Sequence, residues 1–171
     1  MGVTLLRNPE SLGPAAARNR GWQASSGDII AFTDDDCVVE SRWLEALSGA
    51  LRQASEDVAG VGGRVKPATK GIIADFMTLH RILEPPKSLS YVVTANCAFR
   101  RSALMSVSGF DEKVRTPGGE DPGLCFALRA KGYRLAWAPD AVVHHHYRES
   151  LADFLKTFYR YGRGCRVVMD R

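Results

Sequence analysis

A chain of 171 residues, 45% hydrophobic and 25% charged, holds enough apolar material to bury a core and falls within the range of one globular domain. No apolar run approaches the roughly 18 residues that span a bilayer, and no basic-then-apolar leader opens the chain, so neither a membrane span nor export is expected. Net charge is +4, yet acids crowd around 34–40 and bases after 147; nucleic acid would not explain both, whereas a cation suits the acids.

Taken in chain order, 14–26 predicts a helix, Ala-rich with Arg18 and Arg20 and closed by Gly27. The run 28–33 is short and continuously apolar, as expected of a strand buried on both faces in a parallel sheet, and it ends in Asp34-Asp35-Asp36. Ser41 reads as the N-cap of a helix on which Leu44, Leu47 and Leu51 recur, followed by a strand over 58–65. Prolines at 67, 85 and 86 surround a weak helix over 71–83. Leu89–Ala95 and Cys97–Arg100 read as extended, 102–107 as a short helix and 109–119 as a glycine-bearing loop. Glu120-Asp121-Pro122 opens a further helix, because proline costs nothing in a first turn and carboxylates suit the positive end of the helix dipole. Strands over 133–138 and 141–145 precede a last helix lined by Leu151, Phe154, Leu155 and Phe158.

This alternation predicts a mostly parallel sheet flanked by helices, Rossmann-like, with ligands beyond the carboxyl ends of the strands. Residues 1–171 read as one domain, with 147–171 as its basic aromatic tail. The four cysteines form no close pair and read as reduced thiols in a cytosolic setting.

Four constellations could carry chemistry. Adjacent carboxylates at a strand end repel one another unless a cation or donors offset them. In extended backbone Asp34 and Asp36 share one side while Asp35 turns away, and Mg2+ or Mn2+ often takes only one or two protein carboxylates. Gly118-Gly119-Glu120-Asp121 brings two acids to a helix start on a glycine loop, a placement suited to a general base. His144-His145-His146 offers imidazole ligands, of which alternation lets only a subset serve one ion. Each also has a blander reading, as an acidic turn, helix capping or structural histidines. Arg148, Lys156, Arg160, Arg163 and Arg166, interleaved with Phe158, Tyr159 and Tyr161, fit a solvated face or a surface that meets anionic lipid or a phosphorylated acceptor.

In order, Ala17-Arg18-Asn19-Arg20-Gly21, the strand into Asp34-Asp35-Asp36, Trp43-Leu44, Gly62-Gly63-Arg64, Asn96-Cys97-Ala98-Phe99-Arg100-Arg101, Gly109-Phe110-Asp111-Glu112, Glu120-Asp121 and Pro139-Asp140-Ala141-Val142-Val143 resemble the family 2 glycosyltransferases. The resemblance implies a GT-A fold and inverting transfer of a sugar from a UDP- or GDP-sugar to an acceptor hydroxyl, with Mn2+ or Mg2+, in cell-envelope or polysaccharide synthesis. By position it implies Asp36 as metal ligand, Asp34 near the nucleotide and also on the metal, and Asp35 and Arg18 at the donor. Asp121 becomes the catalytic base beside Glu120, and His145 a further metal ligand, with the register among 144–146 open by one. Gly123 stands where members often carry another acid.

The family's first strand-helix-strand portion, with its nucleotide-base pocket, has no counterpart before Arg18. The chain is therefore expected to be an N-terminally truncated version of the fold, with an unpaired sheet edge that invites a second copy. Two other functions fit: a noncatalytic remnant or subunit completed by a partner chain, and a sugar nucleotidyltransferase, against which stands the lack of a glycine-rich, lysine-bearing phosphate loop. The expected location is the cytoplasm, peripheral at the inner membrane face, with no nucleic-acid partner.

Overall fold

The computed structural model describes residues 2–170. In chain order the elements are α1 Pro14–Ala24, β1 Ile29–Thr33, β2 Cys37–Val39, α2 Trp43–Gln53, β3 Val58–Pro67, α3 Ile72–Leu79, β4 Asn96–Arg100, α4 Arg101–Ser106, α5 Glu120–Ala130, β5 Arg134–His145 and α6 Leu151–Met169. Among the described residues the strands form one sheet in the order β1-β4-β3-β5-β2.

Side-chain alternation along the strands divides the core between two faces. On β4, Cys97 and Phe99 enter a cluster with Ala15 and Trp22 of α1, Leu104 of α4, and Leu124 and Leu128 of α5. Ala98, between them, faces the opposite cluster with Val61 and with Leu47 and Leu51 of α2. Leu47 and Leu51 are wholly buried, so each contributes about 1.5–3 kcal/mol through area removed from water. A smaller third cluster joins Ala74 and Met77 of α3, Tyr147, and Phe154 and Phe158 of α6.

The α/β layering matches the sequence reading; the strand directions correct it. Only β3 and β5 run parallel, while β1–β4, β3–β4 and β2–β5 are antiparallel. A strand buried on both faces is continuously apolar whichever way its neighbour runs, so the apolar run at 28–33 carried no information about direction. The chain reverses because β3, α3 and the segment after it leave the chain at the end where β3 finishes. From there β4 must descend. Leu89–Ala95 belongs to that segment and joins no ladder, contrary to the extended reading. Arg42, not Ser41, takes the cap position of α2.

The two predicted strands over 133–145 are one strand broken by a bulge. Gly63 pairs with Ala138 and the next residue, Arg64, with Val142, so Pro139, Asp140 and Ala141 are extra. Asn96, wholly buried, fills that bulge: its Nδ2 donates to the carbonyls of Arg64 and Ala141 at 2.8 Å each, and its Oδ1 accepts from Trp43 Nε1 at 2.8 Å. A Cβ on Gly63 would run into the Ala141 carbonyl and the Asn96 amide, which is why glycine stands there.

The bulge matters for what lies above it. Beyond it, β3 and β5 continue as a narrow ribbon, and β2 pairs only with its end, Val39 to Cys37 against Val143 to His145. Four residue steps from Thr33 to Cys37 reach at most about 14 Å. Crossing four strand spacings of a flat sheet would need about 19 Å. The sheet therefore curls, and residues 34–36 bridge its upper end, beside the start of α5.

A candidate active site at the upper end of the sheet

Arg18 is the hub. It leaves α1 one residue before Asn19, whose fully satisfied amide bonds the backbone N–H and carbonyl of Phe110, Glu112 and the Trp22 indole. That network fixes the helix against the loop after α4. Arg18 then donates to Glu120 Oε1 at 2.7 Å and Asp34 Oδ1 at 3.1 Å, and its guanidinium lies 3.7 Å from Asp121 Oδ1. Burial works against the guanidinium charge, but Asp121, Asp34 and Glu120 together hold it more firmly charged than an ordinary arginine.

Glu120 and Asp121 open α5, where unpaired N–H groups and the helix dipole favour negative charge. Glu120 is 3% exposed and both its oxygens are occupied, one by Arg18 and the other by the Gly118 N–H at 2.7 Å. Asp121 accepts from the Thr94 N–H at 3.1 Å and the Thr94 hydroxyl at 2.9 Å, keeping a narrow exposed edge. Burial first and the Glu120 charge second push its carboxyl up to about 7, while Arg18 and Thr94 hold it back. That value suits a group that takes a proton near neutrality.

The loop feeding this helix is gripped from behind. A Cβ on Gly119 would strike the Gly164 carbonyl, and one on Gly164 would lie 2.5 Å from the Pro117 carbonyl. Backbones meet there with no room for side chains, and the Cys165 thiol donates to Gly118 O.

Asp34 and Asp36 diverge, contrary to the alternation that would keep them on one side. The Cys37 N–H bonds the Asp34 carbonyl at 3.2 Å, closing a turn that sends Asp34 to Arg18 and Asp36 to His145. His145 Nε2 lies 3.3 Å from Asp36 Oδ1, and its ring stacks on Tyr147 at 4.7 Å. Two donors at adjacent corners of an octahedral ion, each about 2.1 Å from it, sit about 3 Å apart, so this pair fits a shared divalent cation. Burial lowers the His145 pKa against the pull of Asp36, keeping the imidazole neutral and able to coordinate. Its Nδ1 is buried beside the His146 backbone without a hydrogen bond of sound geometry. Cys37 is the third donor, the three ligand atoms lying within 4.8 Å of one another, but burial pushes its thiol up to about 11, so it is a poor ligand.

The structure thus unites Arg18, Asp34, Glu120 and Asp121, and beside them Asp36 and His145. Asp35 is exposed and, among the described residues, pairs with no other side chain, outside both groups. His144 faces the other side, toward Glu40 at 3.1 Å, and His146 is exposed, so the ladder register singles out His145. Thr94, Asn96 and Cys37 were missed as contributors. The only signal for the first two was a polar pair, Thr94 and Asn96, inside an otherwise apolar stretch that the fold buries.

The family described as "Glycosyl transferase family 2" matches residues 1–108. The chain is 37% identical over 170 residues to a protein of Mycobacterium tuberculosis named pre-mycofactocin glycosyltransferase, aligning 92% of this chain with 35% of that one. It is 29% identical to glycosyltransferase AglE of Haloferax volcanii, over 95% of this chain and 53% of AglE. Among solved structures, the mannosyltransferase PcManGT of Pyrobaculum calidifontis, in complex with GDP-Man and Mn2+, superposes with a TM-score of 0.67 at 21% identity, over 95% of this chain and 46% of that one. The chain therefore spans about a third to a half of the length of these relatives, and the GT-A architecture is common to it and its structural neighbour.

Proposed function

Because the chain belongs to glycosyl transferase family 2, we propose that the upper end of its sheet is a site for inverting sugar transfer from a UDP- or GDP-sugar to an acceptor hydroxyl, in cell-envelope or polysaccharide synthesis on the cytoplasmic side. The observation that carries the reading is Arg18 tying Asp34 to the Glu120–Asp121 pair, with Asp36 and His145 alongside at 3.3 Å.

Asp36 and His145 hold the divalent cation, Mn2+ or Mg2+, which when bound offsets the charge of the departing diphosphate. Asp34, turned by Arg18, faces the nucleotide, with Asp35 at the outer rim of the donor. Asp121 takes the proton of the acceptor hydroxyl as its oxygen bonds to the anomeric carbon and the electrons of the breaking C–O bond pass to the diphosphate. Glu120 acts through others, because both its oxygens are engaged in holding Arg18 and Gly118.

Titration with Mn2+, alone and then with UDP- and GDP-sugars, tests the reading. Saturable Mn2+ binding weakened by Asp36→Ala is expected; equal affinity in that variant would sink the cation assignment. A second reading, a noncatalytic chain that folds or pairs with another chain or a second copy but turns nothing over, is supported by β1 lying at the edge of the sheet. Under it Asp121→Asn leaves every turnover measurement of the assembled protein unchanged.

A further inference from the structure

α3 and α6 meet along an aromatic seam: Phe76 packs edge-on against Phe154 at 5.4 Å and against Phe158 at 6.2 Å. Outside that seam the two helices carry large apolar side chains that no other described residue covers. Ile72 and Leu79 on α3, and Leu151, Leu155 and Tyr159 at four-residue steps on α6, are each between 59% and 85% exposed. On α6 a basic row, Lys156, Arg160 and Arg163, runs beside these residues at spacings of four and three. Among the described residues no carboxylate pairs with any of the three.

We propose that this α3–α6 face docks on the surface of an anionic lipid bilayer, the apolar side chains entering the headgroup boundary and the basic row meeting lipid phosphates. The chemistry matches an interfacial helix, with large apolar and aromatic residues on one flank and cations on the next. It does not match a crossing helix, since no helix of the described residues is long and apolar enough to span a membrane. A two-fold contact with another copy would bring the two basic rows together, which like charges oppose. From this face α6 runs on to Gly164, against the loop that leads into Glu120, so docking holds the acidic cleft close to the bilayer.

Co-sedimentation of the full chain with vesicles tests the docking without donor or acceptor, so it stands or falls apart from the transfer reading. Binding is expected to vesicles of equal parts phosphatidylcholine and phosphatidylglycerol, and not to phosphatidylcholine alone. Lys156→Gln/Arg160→Gln/Arg163→Gln should weaken it about hundredfold, near fivefold per charge. Leu151→Glu/Leu155→Glu should abolish it even at low salt. All five side chains are exposed, and circular dichroism checks that the variants fold. Three results would overturn the proposal. These are no binding by the wild type, binding that survives the leucine double variant, and a concentration-dependent dimer dispersed by that variant with no affinity for vesicles.

Discussion

The two corners of the acidic cleft are built by opposite strategies. Around Asp121 and Glu120 the protein supplies the partners itself: Arg18, the Thr94 hydroxyl and N–H, and the Gly118 N–H, all in buried or half-buried positions. Around Asp36 it supplies little. One ladder sets His145 opposite Cys37, one imidazole faces one carboxylate, and Asp35 extends into solvent. A buried carboxylate is tolerable only when its lone pairs are met, so the first corner is fixed by folding. The second is half exposed, where water can serve and geometry can wait for a ligand. Removing the partners that meet the carboxylates should therefore cost stability at the first corner, and removing the donors should cost affinity at the second.

Arg18→Ala strikes that contrast hardest. It leaves Glu120 buried with one oxygen unpartnered and three carboxylates without their shared cation, at an expected cost of about 3–5 kcal/mol in urea denaturation. Adding Glu120→Gln should return a large part of that loss. If the single variant is as stable as the wild type, the base corner is not held by charge pairing. Asn96→Ala comes next, because it strands two carbonyls and the Trp43 indole inside the β5 bulge. A loss of about 2–3 kcal/mol is expected from the orphaned groups, together with weaker Mn2+ binding, since the ribbon carrying His145 rests on that bulge. Loss of stability with Mn2+ affinity intact would uncouple the bulge from the cation corner.

The same contrast explains what could be read from the sequence. Glu120-Asp121 at a proline-bearing helix start and Asp34-Asp35-Asp36 at a strand end were both visible, because local chemistry placed them. The strand directions were not, since β4 descends only because of where the segment after α3 leaves the chain. Nor was the Thr94 grip on Asp121, a contact between residues 27 apart that no local pattern encodes. His145 could be told from its neighbours only through its ladder partner Cys37, in a three-residue strand too short to show a period. Alternation put Asp34 and Asp36 on one side, whereas a turn at this position sends them to different partners, which a strand period does not encode.

Asp121→Asn should separate stability from chemistry within the base corner. Its folded carboxyl titrates near 7 against about 4 unfolded, so the native state binds the extra proton between those values. The stability it confers is therefore full below about pH 4, declines as pH rises to about 7 and is level above. Removing the charge should then stabilise the protein by about 1–2 kcal/mol at pH 8 and flatten that decline, while lowering transfer by about 10²–10⁴. Transfer by the wild type should rise with pH through about 7, as the base loses its proton. A variant that is both less stable and fully active would deny Asp121 the role.

The smallest structural effect belongs to His145→Ala. The ring is held by stacking on Tyr147, and its Nδ1 makes no hydrogen bond, so truncation removes a contact but strands no partner other than the half-exposed Asp36. A stability change of about 1 kcal/mol or less is expected, in the range of ordinary partly exposed substitutions. Mn2+ affinity should nonetheless fall at least tenfold, because the imidazole is one of the two ligands proposed for the cation and burial disfavours the Cys37 thiolate that would have to replace it. His144→Ala, on the opposite side with Glu40, should bind Mn2+ as the wild type does. Were His144→Ala to weaken Mn2+ binding as much as His145→Ala, the ladder register would be the wrong guide to the ligand, and the cation corner would have to be redrawn around the other side of β5.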